Sequence, residues 1–318
     1  MKNSTDPIVV ACAADDFFAM PLAVTADSVV ANLNKNAWID FYILDGGIQP
    51  SNRKKIIQSL KGKPIEIHWV KPRSDYMEQL YIRSQSTYPI SAYYRLLLPE
   101  IIPDRYRKVI YLDTDVILLE DIAKLWNLEL GDYHMLAAMD AANRQMDWPA
   151  HLQHLDFNSL GVSREAKYLQ SGVLLIDLDK WRADRISEKL LDFIANHLEL
   201  PYPDMDALNF VLSGKWGELD PRWNQIPVVH NFKSWEDSPY TQEQFNNVVR
   251  NPFIIHYGSK PKPWHRGCIH PQASLWYDYL NQTAWAGWEN TFVDRHLHLM
   301  RRIGRRLVKN TKKLVAVS

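Results

Sequence analysis

Two aspartates one residue apart at the end of an apolar strand can turn both carboxylates toward one cation. Oxygen ligands of that kind suit Mg²⁺ or Mn²⁺, which neutralise a diphosphate leaving group. The chain carries three such pairs: Asp113-Thr114-Asp115, Asp177-Leu178-Asp179 and Asp204-Met205-Asp206. Their surroundings separate them. Asp113 and Asp115 lie between Val109-Ile110-Tyr111-Leu112 and Val116-Ile117-Leu118-Leu119, where a buried carboxylate is costly unless paired or metal-bound. Asp179 precedes a helical run and reads as its cap. Asp204 and Asp206 fall at a predicted helix start, where the helix dipole favours acids; structural and functional readings stand level there. His256 closes a late apolar run, Phe253-Ile254-Ile255-His256, and offers a third ligand. Imidazole among carboxylates shifts the preference from Mg²⁺ toward Mn²⁺. In the loop that follows, Lys260 or Lys262 can meet a diphosphate as a point charge.

The elements that must position these groups alternate along the first half. Ile8 to Cys12 reads as a strand, Met20 to Leu33 as a helix and Trp38 to Leu44 as a strand ended by Gly46-Gly47. Ser51 is expected to cap a helix through Leu60, followed by a strand from Pro64 to Val70. Ser91 to Leu98 reads as a helix stopped by Pro99, and Val109 to Leu112 as a strand. Such alternation predicts parallel strands with crossover helices, an open α/β sheet that binds ligands at the carboxyl ends of its strands. Asp15, Asp45 and Asp113 all fall at that edge, although acids after strands are also ordinary turn formers. Further on, Met135 to Met139 and Gly172 to Leu178 read as strands. A helix is expected from Lys180 to His197 and another from Asp204 to Leu212. Residues 5–285 read as one domain.

Several function classes are excluded. No G-x-x-x-x-G-K-[ST] occurs, and no G-x-G-x-x-G follows the first strand, so neither a P-loop enzyme nor a dinucleotide-binding domain fits. The first strand leads instead into Ala13-Ala14-Asp15-Asp16-Phe17-Phe18. A carboxylate there repels phosphate but can accept hydrogen bonds from a base or ribose. The 37 basic and 37 acidic residues balance overall. However, residues 295–318 hold 8 of the basic residues and no acid, which leaves the body with 29 against 37. An acidic body argues against nucleic-acid binding. Two cysteines, Cys12 and Cys268, provide no disulfide framework.

Taken together, these residues resemble glycosyltransferase family 8, a family of retaining UDP-sugar transferases. The resemblance covers about residues 7–285. It rests on an ordered set: Ala13-Ala14-Asp15-Asp16; Arg95 in Tyr93-Tyr94-Arg95-Leu96; Asp113-Thr114-Asp115; Ser171-Gly172; Asp204-x-Asp206-Ala207-Leu208-Asn209; and His256 with Lys262-Pro263-Trp264. It implies a single α/β domain with an open mixed sheet of the nucleotide-diphospho-sugar transferase (GT-A) type. By that resemblance Asp113, Asp115 and His256 hold Mn²⁺ (Mg²⁺ is less favoured) against the diphosphate of a UDP-sugar, and Lys262 touches the phosphates. Ala13 and Asp15 meet the nucleotide, Asp15 at uracil. Phe18 stacks near the base, and Thr114 contacts the ribose through its backbone. Arg95, Gln170, Asp204 and Met205 line the donor sugar. Asp140 lies near the donor sugar or acceptor, and Asp204, Asp206 and Asp140 are the candidate catalytic acids. Three departures stand out. Phe17 replaces a polar residue, Gln170 replaces a common Asn, and Met205 replaces a Gln discussed as nucleophile or stabiliser.

The expected activity is transfer of glucose or galactose from a UDP-sugar to a saccharide or glycolipid hydroxyl, as in lipopolysaccharide synthesis. The alternative is a UDP-sugar-binding protein with weak or no transfer. Residues 295–318 form a basic amphipathic tail, with Met300, Ile303, Leu307 and Leu314 able to share one helical face. Such a tail predicts contact with an anionic membrane surface, and hence a cytoplasmic protein peripheral on the inner face of the membrane. No run reaches the ~18 apolar residues of a membrane span.

Overall fold

The protein is described here by a computed structural model covering residues 6–73, 75–83 and 88–291; the expected tail, 295–318, lies outside the described residues. Its strands are β1 Ile8–Ala14, β2 Ile39–Asp45, β3 Ile65–Val70, β4 Lys108–Leu112, β5 Val116–Leu118, β6 Met135–Met139, β7 Leu169–Asp177, β8 Trp216–Glu218 and β9 Ile254–His256. Seven of them form one sheet in the order β3-β2-β1-β4-β7-β6-β8, while β5 pairs with β9. The first four strands are parallel, as the alternation predicts. Beyond them β7 runs antiparallel to both β4 and β6, so the sheet is mixed.

The apolar runs are continuous because both sheet faces are covered. Val10, Cys12, Phe41, Ile43, Ile110 and Leu112 enter one core. Their alternates Val9, Ala11, Tyr42, Leu44, Val109 and Tyr111 enter the other. With β1 between β2 and β4, the order of strands reverses beside β1, and the crevice of such a sheet opens at the carboxyl ends there. Ala13, Asp15 and Asp113 stand at that edge. Among the described residues no helix is long and apolar enough to cross a membrane.

Local chemistry moves several expected boundaries. The second helix is Pro50–Leu60, so Ser51 sits inside its first turn and does not cap it. The segment around Arg95 is a 3₁₀ helix, Ile90–Leu97, that continues as an α-turn, Leu98–Ile101. Pro99 lies in the first turn of that α-turn, where its missing N–H breaks no bond. The single helix expected from Lys180 to His197 is two, Leu178–Ala183 and Ile186–Asn196. They break at Arg185, whose φ of 50° is left-handed. Asp177, not Asp179, is the cap, accepting from Lys180 N. Asp179 pairs instead with Arg107. At the sheet edge Asp45 proves a turn former: Oδ1 accepts from Gly47 N and Ile48 N, and Oδ2 pairs with Arg53.

Candidate active site

Asp113 and Asp115 occupy the short link between β4 and β5. Antiparallel pairing of β5 with β9 sets Val116 opposite His256, and this register brings an imidazole 141 residues away in sequence to the two acids. Ligand atoms of Asp113, Asp115 and His256 lie within 4.8 Å of one another. His256 Nε2 is 3.3 Å from Asp115 Oδ1 and 3.8 Å from Asp113 Oδ2.

The imidazole is fixed from behind. His256 is 2% exposed, and its Nδ1 lies 2.8 Å from Asn224 Oδ1. Asn224 Nδ2 in turn donates to Gln170 Oε1 at 2.8 Å, so the amide is oriented with its oxygen toward the ring. Nδ1 then carries the proton and Nε2 presents a lone pair to the acids, as a metal ligand requires. Gln170 Oε1 also accepts from Gly172 N at 2.6 Å. Gly172 is required here, because a Cβ would come within 2.2 Å of His256 Cε1. This cradle and the mixed imidazole–carboxylate donor set fit a divalent cation.

Two fixed cations complete the cluster. Lys262, 6% exposed, donates from Nζ to Asp115 Oδ2 and to the carbonyls of Tyr257 and Gly258. Burial opposes the charge on Asp115, but the Lys262 ammonium outweighs it and holds the carboxyl well below the usual range. Arg95, on the 3₁₀ helix, donates from Nη1 to Ser171 O at 2.8 Å and from Nη2 to Asp113 Oδ1 at 2.7 Å. Its Nε lies 3.2 Å from Asp204 Oδ2, and its guanidinium sits 4.5 Å over the Tyr111 ring. Burial works against this cation, yet Asp113, Tyr111 and Asp204 raise its pKa above the ordinary arginine value. Arg95 thus ties the first acid pair to the Asp204 pair.

Asp204 and Asp206 start the helix Pro203–Val211. Asn209 stitches that helix to β7, accepting from Leu169 N at 2.7 Å and donating to Leu169 O at 3.1 Å. Burial pushes the Asp204 carboxyl up, and Arg95 only partly offsets it. Asp206 is fully buried: Tyr168 OH donates to its Oδ1 at 2.7 Å, and His151 Nε2 lies 3.1 Å from both oxygens. Between them, Met205 packs against the second core. Asp140, at the end of β6, accepts from Ala142 N and Asn143 N, both at 2.8 Å. Burial raises its pKa against those bonds.

The expected nucleotide residues lie at the neighbouring strand end. Ala11 pairs with Tyr111, so the end of β1, with Ala13 and Asp15, runs beside Asp113. Asp15 caps the turn Asp16–Phe18 by accepting from Phe17 N at 2.9 Å. Phe18 meets Trp264 edge-on at 6.1 Å, which sets it beside the Lys262 loop. Thr114 is buried between Asp113 and Asp115. The structure therefore gathers Asp113, Asp115, His256, Lys262, Arg95 and Asp204 into one cluster. It sets Asp206 deeper, leaves Met205 half-buried against the second core, and places Asp140 in a turn of its own.

Asn224, Tyr168 and His151 belong to the site and carry no motif of their own. Tyr88 and Tyr202 also stand at its mouth, 43% and 37% exposed, with ring centroids 5.9 Å apart. The Tyr88 phenol is pushed up to about 12 by burial and by the charges of Tyr202, Asp204, Asp113 and Asp115. Only the place of Tyr202, two residues before Asp204, hinted at this.

Known proteins resemble this chain over most of its length. The sequence profile described as Glycosyl transferase family 8 matches residues 9–268. General stress protein A of Bacillus subtilis (strain 168) is 32% identical over 281 residues, 87% of this chain and 94% of that protein. A lipopolysaccharide 1,2-glucosyltransferase of Escherichia coli (strain K12) is 26% identical over 285 residues, covering 89% of this chain and 80% of its own. The crystal structure of the galactosyltransferase LgtC, in complex with donor and acceptor sugar analogues, superposes with a TM-score of 0.71 at 28% identity. It covers 87% of this chain and 96% of LgtC. With the mixed sheet, the ordered motifs and the family profile all in accord, the chain belongs to glycosyltransferase family 8.

Proposed function

We propose that this chain is a retaining, Mn²⁺-dependent hexosyltransferase that moves glucose or galactose from a UDP-sugar to a hydroxyl of a saccharide or glycolipid. The observation that carries this reading is the convergence of Asp113, Asp115 and His256 with the two buried cations Lys262 and Arg95. In this reading Asp113, Asp115 and His256 hold the metal, which supplies positive charge against the leaving diphosphate. Lys262, held within the same cluster, adds a fixed cation against that charge. Ala13, Asp15, Phe18 and Thr114 take the nucleoside. Arg95, Asp204 and Gln170 bind the sugar hydroxyls, with Arg95 aiming the Asp204 carboxylate. The aromatic pair Tyr88 and Tyr202 offers an apolar face on the acceptor side.

The route to retention follows from which side chains are free to act. Retention through a covalent intermediate needs a carboxylate nucleophile. Asp206 has both oxygens engaged by Tyr168 and His151. Met205 has no oxygen to offer, and Asp204 is turned to Arg95. Same-face substitution is therefore favoured. The bond from the sugar's anomeric carbon to the phosphate oxygen breaks, and the bond to the acceptor oxygen forms on the same face. The acceptor proton passes to the leaving phosphate.

Residues 5–285 are proposed as the catalytic domain and the basic segment 295–318 as a membrane-surface contact on the cytoplasmic side. Unchanged liposome binding after deletion of 295–318 would count against the second assignment. The test of the activity is UDP release from a panel of UDP-sugars with Mn²⁺ and with EDTA. Metal-dependent release from UDP-glucose or UDP-galactose supports the proposal and names the donor. Metal-dependent UDP binding without release, with or without saccharide acceptors, would favour a binding protein weakened at Met205.

A further inference from the structure

A second cluster of ligand-type side chains lies at the opposite end of the sheet. Asp40 on β2 pairs in register with Glu66 on β3, and His68 follows two residues later on the same face. Ligand atoms of Asp40, Glu66 and His68 lie within 4.8 Å of one another. At ~3.3 Å per residue, Asp40 is about 17 Å along β2 from the edge that carries the donor site.

Unmet bonding at the centre of this cluster points to a ligand. Asp40 is 3% exposed. Tyr106 OH donates to its Oδ2, and Arg105 donates to that same hydroxyl oxygen at 3.0 Å, which turns the phenolic proton toward Asp40. The other oxygen, Oδ1, is buried with no hydrogen-bond partner, and so is His68 Nε2. These two atoms face each other at 3.5 Å. A charge-assisted N–H···O bond closes to about 2.7–2.9 Å. Two ligands each about 2.1 Å from one tetrahedral ion stand about 3.4 Å apart. The same spacing recurs in the donor-site cluster, at 3.3 and 3.8 Å. The Tyr42 ring stacks on the imidazole at 4.6 Å and holds it in plane, while the exposed Glu66 approaches from the solvent side.

We propose that Asp40, Glu66 and His68 form a second cation site that takes Zn²⁺ and ties the edge strand β3 to β2. One imidazole and two carboxylates suit Zn²⁺ better than Mg²⁺ or Ca²⁺, and water completes the fourth position. Tyr106 and Tyr42 orient the ligands from behind. The site lies away from the transfer chemistry and does not depend on it.

The test uses the metal-stripped full chain carrying Asp113→Asn and Asp115→Asn, which disables the donor-site cluster. Co²⁺ is titrated as a spectroscopic probe and then displaced with Zn²⁺. The expected result is one Co²⁺ per chain, displaced by Zn²⁺, with affinity reduced about tenfold or more by His68→Gln and likewise by Glu66→Gln. Glu66 is exposed, so its variant keeps the fold if His68→Gln does not. In the otherwise unaltered chain, His68→Gln leaves UDP release unchanged. Failure of the doubly substituted chain to bind either ion, or binding that neither substitution weakens, would overturn the proposal and leave an Asp40–His68 ion pair.

Discussion

A methyl group added at Gly172 tests the site at its tightest point. The Cβ of Gly172→Ala would stand 2.2 Å from His256 Cε1, 2.6 Å from Nδ1 and 2.9 Å from Gln170 Oε1. Carbon atoms in contact keep about 3.5 Å, so the overlap with the imidazole is about 1.3 Å. The ring has nowhere to retreat, being 2% exposed and held by Asn224 at 2.8 Å. Overpacking of this kind costs about 1–3 kcal/mol of stability. Moving Nε2 off both carboxylates is expected to weaken Mn²⁺ binding about 10–100-fold. Gly258→Ala is the matched control, since its Cβ would meet His256 Nε2 at 3.4 Å, an ordinary contact. Neither glycine has a left-handed φ, so backbone strain does not enter. Calorimetric Mn²⁺ titration and thermal melting of both variants give the answer. Gly172→Ala with the Mn²⁺ affinity and melting temperature of the unaltered chain would refute the reasoning.

Further expectations follow from other contacts. Asn224→Leu removes the acceptor that fixes the His256 tautomer and is expected to weaken Mn²⁺ binding about 10–100-fold, read by the same titration. Arg95→Met leaves Asp113 and Asp204 without their shared buried cation; urea unfolding should show a loss of about 3–5 kcal/mol, with Arg95→Lys losing less. His270 has a folded pKa pushed down to about 4, from 6.5, by burial and then by His230. The unfolded chain therefore binds more protons in that window. Stability present above pH 6.5 is lost as pH falls toward 4. Melting curves across this range should flatten in His270→Phe, and an unchanged slope would sink the assignment.

The parts of the site that could be read from sequence were those whose local context was unusual. Asp113 and Asp115 interrupt an apolar run that must be buried on both sheet faces, and His256 ends another such run. The β5–β9 register joins them. The parallel half of the sheet was legible because its strands and helices alternate. Residues that act through distant partners were not. Asn224 gains meaning only beside His256, and His151 only beside Asp206, 55 residues on. Nothing in the pattern around Arg185 marks the break in the expected long helix, because Ile186, Leu190 and Ile194 continue the apolar period. The cap fell on Asp177 and not Asp179 because β7 runs directly into the helix, a boundary that two acids in one turn leave open. Asp45 carried the same strand-end signature as Asp113. Its three local bonds, to Gly47, Ile48 and Arg53, make it a turn.

The central claim is that the Asp113–Asp115–His256 cluster stabilises charge on a leaving diphosphate. The most direct measurement is the rate of UDP release from saturating UDP-glucose and UDP-galactose with Mn²⁺, compared between the unaltered chain and Asp113→Asn. A fall on the order of a thousandfold, about 4 kcal/mol of transition-state stabilisation, with the far-UV circular dichroism spectrum unchanged, is the predicted result. Near-normal release by Asp113→Asn, or release that EDTA does not abolish, would contradict it.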